Sequence, residues 1–327
     1  MRLPVLVAPD SFKGSFGAAE VAAAIADGLR DAGRHANELP VADGGEGTMD
    51  VLLSALGGEL HAAQASDPLG RPVEASFALL PDGRTAIVEA AQASGLGLVA
   101  EEERDAFAAS TFGTGELIAA AVEAGAEGVI VTVGGSATTD GGAGALRALE
   151  GVEVKLEVLC DVLTPWEQAA RVFGPQKGAD AVTVERLEHR LDDLAQRAPR
   201  DPRGRPMTGA AGGLSGGLWA YGEARLFPGA PYVLDAVGFD AAMRESGFVV
   251  TGEGRLDDQT LQGKIVGEVA TRCRQGGVAC HAVVGSNALE PFKVRILDLA
   301  SVTEAGTPEA LRSAGRDLGR PGEASPP

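Results

Sequence analysis

Apolar, β-branched runs that end in glycine-rich loops bearing carboxylates or hydroxyls constrain this chain more than any other feature. Four such loops occur: Ala8-Pro9-Asp10-Ser11-Phe12-Lys13-Gly14-Ser15, Ala42-Asp43-Gly44-Gly45-Glu46-Gly47-Thr48, Gly134-Gly135-Ser136-Ala137-Thr138-Thr139-Asp140-Gly141-Gly142, and Thr251-Gly252-Glu253-Gly254-Arg255-Leu256-Asp257-Asp258. Three of them follow a strand-like run and precede a helix-like stretch, the grammar of parallel α/β units. Glycines placed there let successive N–H groups turn toward an anion and let backbone approach a ligand closely. Carboxylates beside them suit a divalent cation or a hydroxyl to be oriented. Together the four loops point to phosphoryl-transfer chemistry.

The pattern predicts β-α-β-α over the first sixty residues. Leu3–Ala8 and Glu38–Ala42 read as strands, Gly17–Arg30 as a helix with Val21, Ile25 and Leu29 on one face, and Thr48–Leu56 as a second helix. The grammar then changes to a hairpin of Val73–Leu80 with Arg84–Ala90, a helix at Gly115–Ala124, and strands at Gly128–Val133 and 152–160. A helix followed by an exposed loop is expected over Glu185–Arg205. The β-α-β-α pattern returns from Phe248 with Phe248–Thr251, Lys264–Arg274, Val278–Val284 and Leu299–Thr303, and Thr307-Pro308 opens a last helix. The expectation is one parallel α/β domain built from 1–66 and 241–327, with a second α/β domain inserted at 67–240. Arg320–Pro327 reads as a disordered tail.

Length and charge narrow the function. The 327 residues can bury a substantial core. A formal net charge of −18 argues against binding nucleic acid or acidic membranes, whose affinity comes from clustered cations. An anionic substrate therefore needs local donors. Three cysteines without metal spacing, no signal peptide and no long apolar stretch read as a reduced, cytoplasmic protein.

Each loop offers specific chemistry. Asp10 suits Mg²⁺ or a general base, Lys13 a phosphate or carboxylate, and Ser11 a hydrogen bond to either. Two carboxylates, Asp43 and Glu46, on one tight loop with Gly44 and Gly45 repel each other unless a cation intervenes. Gly134, Gly135, Ser136, Thr138, Thr139 and Gly141 can surround triphosphate oxygens, although no Walker A Gly-Lys-Ser/Thr occurs there. Arg255 is the candidate for a bidentate grip on an anion, with Glu253 and Asp257 beside it; the bland alternative is an Arg255–Asp257 ion pair. Lys177 stands on a Gly-Pro loop. Asp43, Asp140 and Asp161 are the metal candidates.

In order, the segments APDSFKGS, VADGGEGT, ASGL, TFGTGELI, GGSATTDGGAG, CDV, FGPQKGA, GAAGGL and TGEGRLDDQTLQGK resemble the glycerate kinases of the first bacterial class. The likeness extends to about Ser286. It implies two α/β domains, one flavodoxin-like and formed by both termini, the other an inserted mixed α/β domain. It also implies ATP- and Mg²⁺-dependent phosphorylation of D-glycerate, generally to 2-phosphoglycerate, an organic acid phosphorylation. Under that resemblance Asp10, Lys13, Asp43 and Arg255 are expected to be catalytic, with Ser11, Gly44, Gly45, Glu46, Lys177, Glu253 and Asp257 binding substrate. Lys13 and Arg255 are expected to hold substrate anions rather than pair with surface acids. The partners implied are the small molecules ATP and glycerate, and the reading is compatible with a homodimer. Two departures stand beside the expected site: a short connection between Leu149 and Cys160, and Leu163-Thr164-Pro165 where the family favours asparagine before the proline. They leave two alternatives, a kinase for another small hydroxy acid and a catalytically silent metabolite-binding homologue.

Overall fold

The computed structural model describes residues 2–12, 14–258, 260–262 and 264–320. Two compact units result, Met1–Asp43 with Val233–Pro327, and Gly44–Tyr232. These boundaries fall earlier than 66/67 and 240/241. Helix Thr48–Leu56 packs on the strands Pro72–Leu79 and Thr85–Glu89, and strand Glu59–Ser66 pairs along its whole length with Pro72–Leu79. Both therefore belong with the second unit.

The first unit is built on a five-stranded parallel sheet of β1 (Val5–Pro9), β2 (Ala36–Glu38), β3 (Phe248–Gly252), β4 (Cys280–Val284) and β5 (Ser301–Glu304), arranged β5-β4-β3-β1-β2. Numbered along the chain this is 2-1-3-4-5, the flavodoxin-like order. All five residues of β1 are buried, as an apolar run covered on both faces should be. The expected face of Val21, Ile25 and Leu29 is fully buried in helix Ala18–Asp31, each side chain contributing roughly 1.5–3 kcal/mol. That helix meets helix Pro308–Gly319 at bare backbone: a Cβ added at Gly28 would lie 1.9 Å from the Arg312 carbonyl oxygen. Thr307 caps the latter helix, its hydroxyl accepting the Ala310 N–H at 3.2 Å. The strand expected at Glu38–Ala42 is instead the shorter edge strand Ala36–Glu38. Residues beyond it still bond to β1, Leu39 N to Val7 O at 2.8 Å and Val41 N to Pro9 O at 3.0 Å.

The second unit carries a six-stranded sheet, in order Glu59–Ser66, Pro72–Leu79, Thr85–Glu89, Gly128–Thr132, Lys155–Cys160 and Arg225–Pro228. The first two pairings are antiparallel and the others parallel. The hairpin signal falls on the second and third strands. The first strand carries no such signal, because ELHAAQAS is polar and alanine-rich, a composition depleted in strands. Helix Phe112–Glu123 and helix Leu214–Gly222 contribute Leu117, Ile118, Leu214 and Leu218 to the core. A smaller cluster forms around Trp166, Leu187 and Leu191, with helix Ala181–Arg197 supplying the leucines. Among the described residues no helix is long and apolar enough to cross a membrane. The tail beyond Arg320 lies outside them.

Candidate active site

In the first unit, β1 and β3 are neighbours whose connections leave in opposite directions, and such a switch point leaves a crevice at the carboxyl edge of the sheet. A cavity of about 400 Å³ opens there, within the range of roughly 300–1,000 Å³ usual for small-molecule sites. Asp10 and Ser11 reach it from the end of β1, Asp43 from the segment after β2, Glu253 and Arg255 from the end of β3, and Lys264 from the start of helix Ile265–Gly276. Asp10 is 4% exposed, and its carboxylate accepts the Ser11 N–H at 2.6 Å. Glu253 is 6% exposed and accepts the Thr260 hydroxyl at 2.6 Å. Burial pushes the Glu253 carboxyl up to about 7, aided by the charges of Asp43 and Asp257 and opposed by Thr260 and Lys264. The cavity thus joins three carboxyl groups and two cations at one sheet edge.

Arg255 lines this cavity. Its guanidinium stands 3.7 Å from the Asp257 carboxylate and is largely exposed, because the tight turn after β3 brings the two side chains together. Lys13 lies outside the described residues.

The second unit gathers the other two loops. A Cβ added at Gly134 would lie 2.4 Å from the Gly45 Cα and 3.1 Å from an Asp161 carboxylate oxygen, so only glycine lets these loops meet. A Cβ at Gly135 would stand 3.2 Å from a Glu46 carboxylate oxygen. Glu46 and Asp161 therefore border the Gly134–Gly135 turn. Segment Ser94–Leu96 holds the turn through Leu96 N to Gly135 O and Ala137 N to Ser94 O, both 2.8 Å. Gly44, whose carbonyl accepts the Val133 N–H at 3.2 Å, anchors the neighbouring loop.

The remainder of the long loop differs from the expected phosphate cradle. Between Gly134 and Gly142 only Gly135 is exposed. Thr138 and Thr139 are fully buried, and a Cβ at Gly141 would point into Trp166, Leu191 and Leu194. These residues pack the unit rather than face solvent. Asp140, expected as a metal ligand, spends its carboxylate inside the protein: it accepts the Thr111 N–H at 2.9 Å, the Thr111 hydroxyl, and the N–H groups of Gly142 at 3.1 Å and Gly144 at 3.0 Å. Lys177, expected to touch substrate, is 2% exposed and lies beneath the loop. Its ammonium donates to the Ser136 hydroxyl at 2.9 Å and the Thr138 carbonyl at 2.6 Å. Burial draws its pKa down to about 7 against the opposing charges of Asp140 and Asp161.

Sequence reasoning did not single out Lys264 or Glu89. Lys264 had a signal, a Gly-Lys pair at a helix start after the fourth loop. Glu89 had none, since its partners lie 40 residues away. Among the described residues no three His, Cys, Asp or Glu side chains are grouped to hold a metal ion. Magnesium does not require such a group, because one or two carboxylates with substrate phosphates and waters suffice.

The sequence matches the glycerate kinase family over residues 5–153 and 150–318. The two blocks meet in the turn before strand Lys155–Cys160, where the sequence analysis finds a short connection. The chain is 41% identical to the glycerate kinase of Bacillus subtilis (strain 168), over 87% of this chain and 85% of the relative. It is 36% identical to the glycerate 2-kinase of Escherichia coli (strain K12), over 87% and 85%. A crystal structure assigned to glycerate kinase 2 from Salmonella typhimurium LT2 superposes with a TM-score of 0.80 at 33% identity, covering 98% of each chain. Sequence, fold and loop chemistry agree that this chain belongs to the glycerate kinase family.

Proposed function

We propose that this protein transfers the γ-phosphoryl group of ATP to D-glycerate, forming 2-phosphoglycerate. Family membership supports the kinase reaction, and the name of the Escherichia coli relative favours the 2-phosphate product. The observation that carries the reading is the switch-point cavity, where Asp10, Asp43 and Glu253 converge with Arg255 and Lys264. Its size and mixed charge suit a three-carbon hydroxy acid.

In this reading Lys264 and Arg255 hold the glycerate carboxylate, and Ser11 hydrogen-bonds a substrate oxygen. Glu253 accepts the proton of the attacking hydroxyl. A carboxyl that titrates at about 7 is partly ionised at neutral pH, yet basic enough to take a proton from the attacking group. Asp10 and Asp43 orient the acceptor. The Gly134–Ser136 turn offers N–H and hydroxyl donors to nucleotide phosphates, with Ser136 held from below by Lys177. The residues present fit Mg²⁺: Glu46 and Asp161 border the turn. Bound there, the ion would neutralise charge on the transferring phosphoryl group.

Coupled ADP release over a panel of small hydroxy acids tests the reading. D-Glycerate should give the highest kcat/KM, and chelation of Mg²⁺ should abolish turnover. ADP formed only with another acid would reassign the acceptor, a reading favoured by the short connection before Lys155. Binding without ADP release would make the protein a silent homologue.

A further inference from the structure

Helix Thr48–Leu56 begins at Gly47, which sits in the left-handed region at φ 88 and has no side chain to cap the helix. The cap comes from elsewhere. Glu89, the last residue of strand Thr85–Glu89 and 4% exposed, accepts the Gly47 N–H at 3.0 Å on both carboxylate oxygens, and the Met49 N–H at 3.2 Å. A serine or aspartate at position 47 would supply an ordinary cap locally. A buried carboxylate is the costlier choice, since burial and the nearby charges of Asp50 and Glu46 push it up to about 7. What it adds is attachment of the loop to the sheet. The loop is pinned at its start by the Gly44 carbonyl on Val133 N and at its end by Gly47 N–H on Glu89. Glu46 lies between these two anchors, beside Gly135.

We propose that Glu89 is a positioning residue that fixes Glu46 against the Gly134–Gly135 turn for phosphoryl transfer. The inference rests on the kinase reading for its catalytic half and on geometry alone for the clamp.

Two measurements test it. Amide exchange in peptides covering 44–50 should accelerate at least about tenfold in Glu89→Gln, because the amide NH₂ faces the Gly47 and Met49 donors and at most one acceptor remains; peptides of the first unit should keep their rates. Steady-state kinetics then compare Glu89→Gln, Glu46→Gln and the double variant. Glu89→Gln alone should lower kcat by about tenfold or more with a smaller change in KM, as expected when a group is misplaced by a fraction of an ångström. In the Glu46→Gln background the same change should cost less than about twofold, since it acts through Glu46. If Glu89→Gln does not fold, Glu89→Asp, which keeps the charge but shortens the reach, gives the same comparison. Unchanged exchange would overturn the clamp, and additive kinetic losses would overturn the route through Glu46. A wild-type enzyme without turnover would sink the kinase reading and the catalytic half with it, while exchange would still decide the clamp.

Discussion

Replacing Gly134 with alanine probes the contact that brings the two glycine loops of the second unit together. The added methyl would lie 2.4 Å from the Gly45 Cα, where ordinary contact begins at 3.4 Å, so the loops must separate by about 1 Å. The neighbour is backbone and cannot rotate away. Overpacking of this kind costs roughly 1–3 kcal/mol. For a unit of this size each kcal/mol lowers Tm by about 2–4 °C, so calorimetry should show a fall of about 2–12 °C. The same displacement moves Gly135 and Ser136 relative to Glu46 and should reduce kcat by up to about 100-fold. Gly151→Ala is the control. It occupies a left-handed position, at φ 82, which Gly134 does not, and its methyl meets nothing within 4 Å, so it should cost about 1–2 kcal/mol of stability and leave kcat unchanged. A folded Gly134→Ala enzyme with wild-type kcat and KM would refute the link between loop contact and catalysis.

Glu253 carries a pH prediction. Its folded carboxyl titrates at about 7, above the ordinary 4.5, so its contribution to stability is whole below 4.5 and is lost as pH rises through 7. The ionised base grows over the same interval, so kcat/KM should rise with a midpoint near pH 7 and level off above about pH 8; Glu253→Gln should lower it at least about 100-fold and flatten the profile. Lys177→Met should lose the bonds to Ser136 and Thr138 and leave their oxygens buried, costing about 1–3 kcal/mol, read as a lower denaturation midpoint. Arg255→Lys should change stability by less than about 1 kcal/mol, since its pair with Asp257 is exposed, yet raise KM for glycerate while sparing KM for ATP. Unchanged KM for both substrates would remove Arg255 from the site.

Much of the fold was legible because its signals are local. The apolar runs at Val5–Pro9 and Phe248–Gly252 are strands because both faces are covered, and a run of Val and Ala announces that without knowledge of neighbours. Thr307-Pro308 announced a helix start for the same reason. The misreadings arise where distant partners decide. Asp140 reads as a free carboxylate until Thr111, 29 residues earlier, takes it up. Thr138 and Thr139 read as phosphate donors because a loop's composition does not reveal that it is covered. Lys177 read as a substrate-binding residue on a Gly-Pro loop, but folding carries it under Ser136. Glu89 is the extreme case, a strand-end acid whose role exists only once Gly47 has folded onto it.

The most direct test of the central claim is phosphorus NMR of a reaction containing the protein, D-glycerate, ATP and Mg²⁺. The account predicts loss of the γ-phosphate resonance with growth of ADP and a single phosphomonoester coupled to the C2 proton of glycerate, absent when glycerate is omitted. A phosphomonoester coupled to the C3 protons would contradict the 2-phosphate product. No glycerate-dependent phosphomonoester at all would contradict the assignment of the reaction.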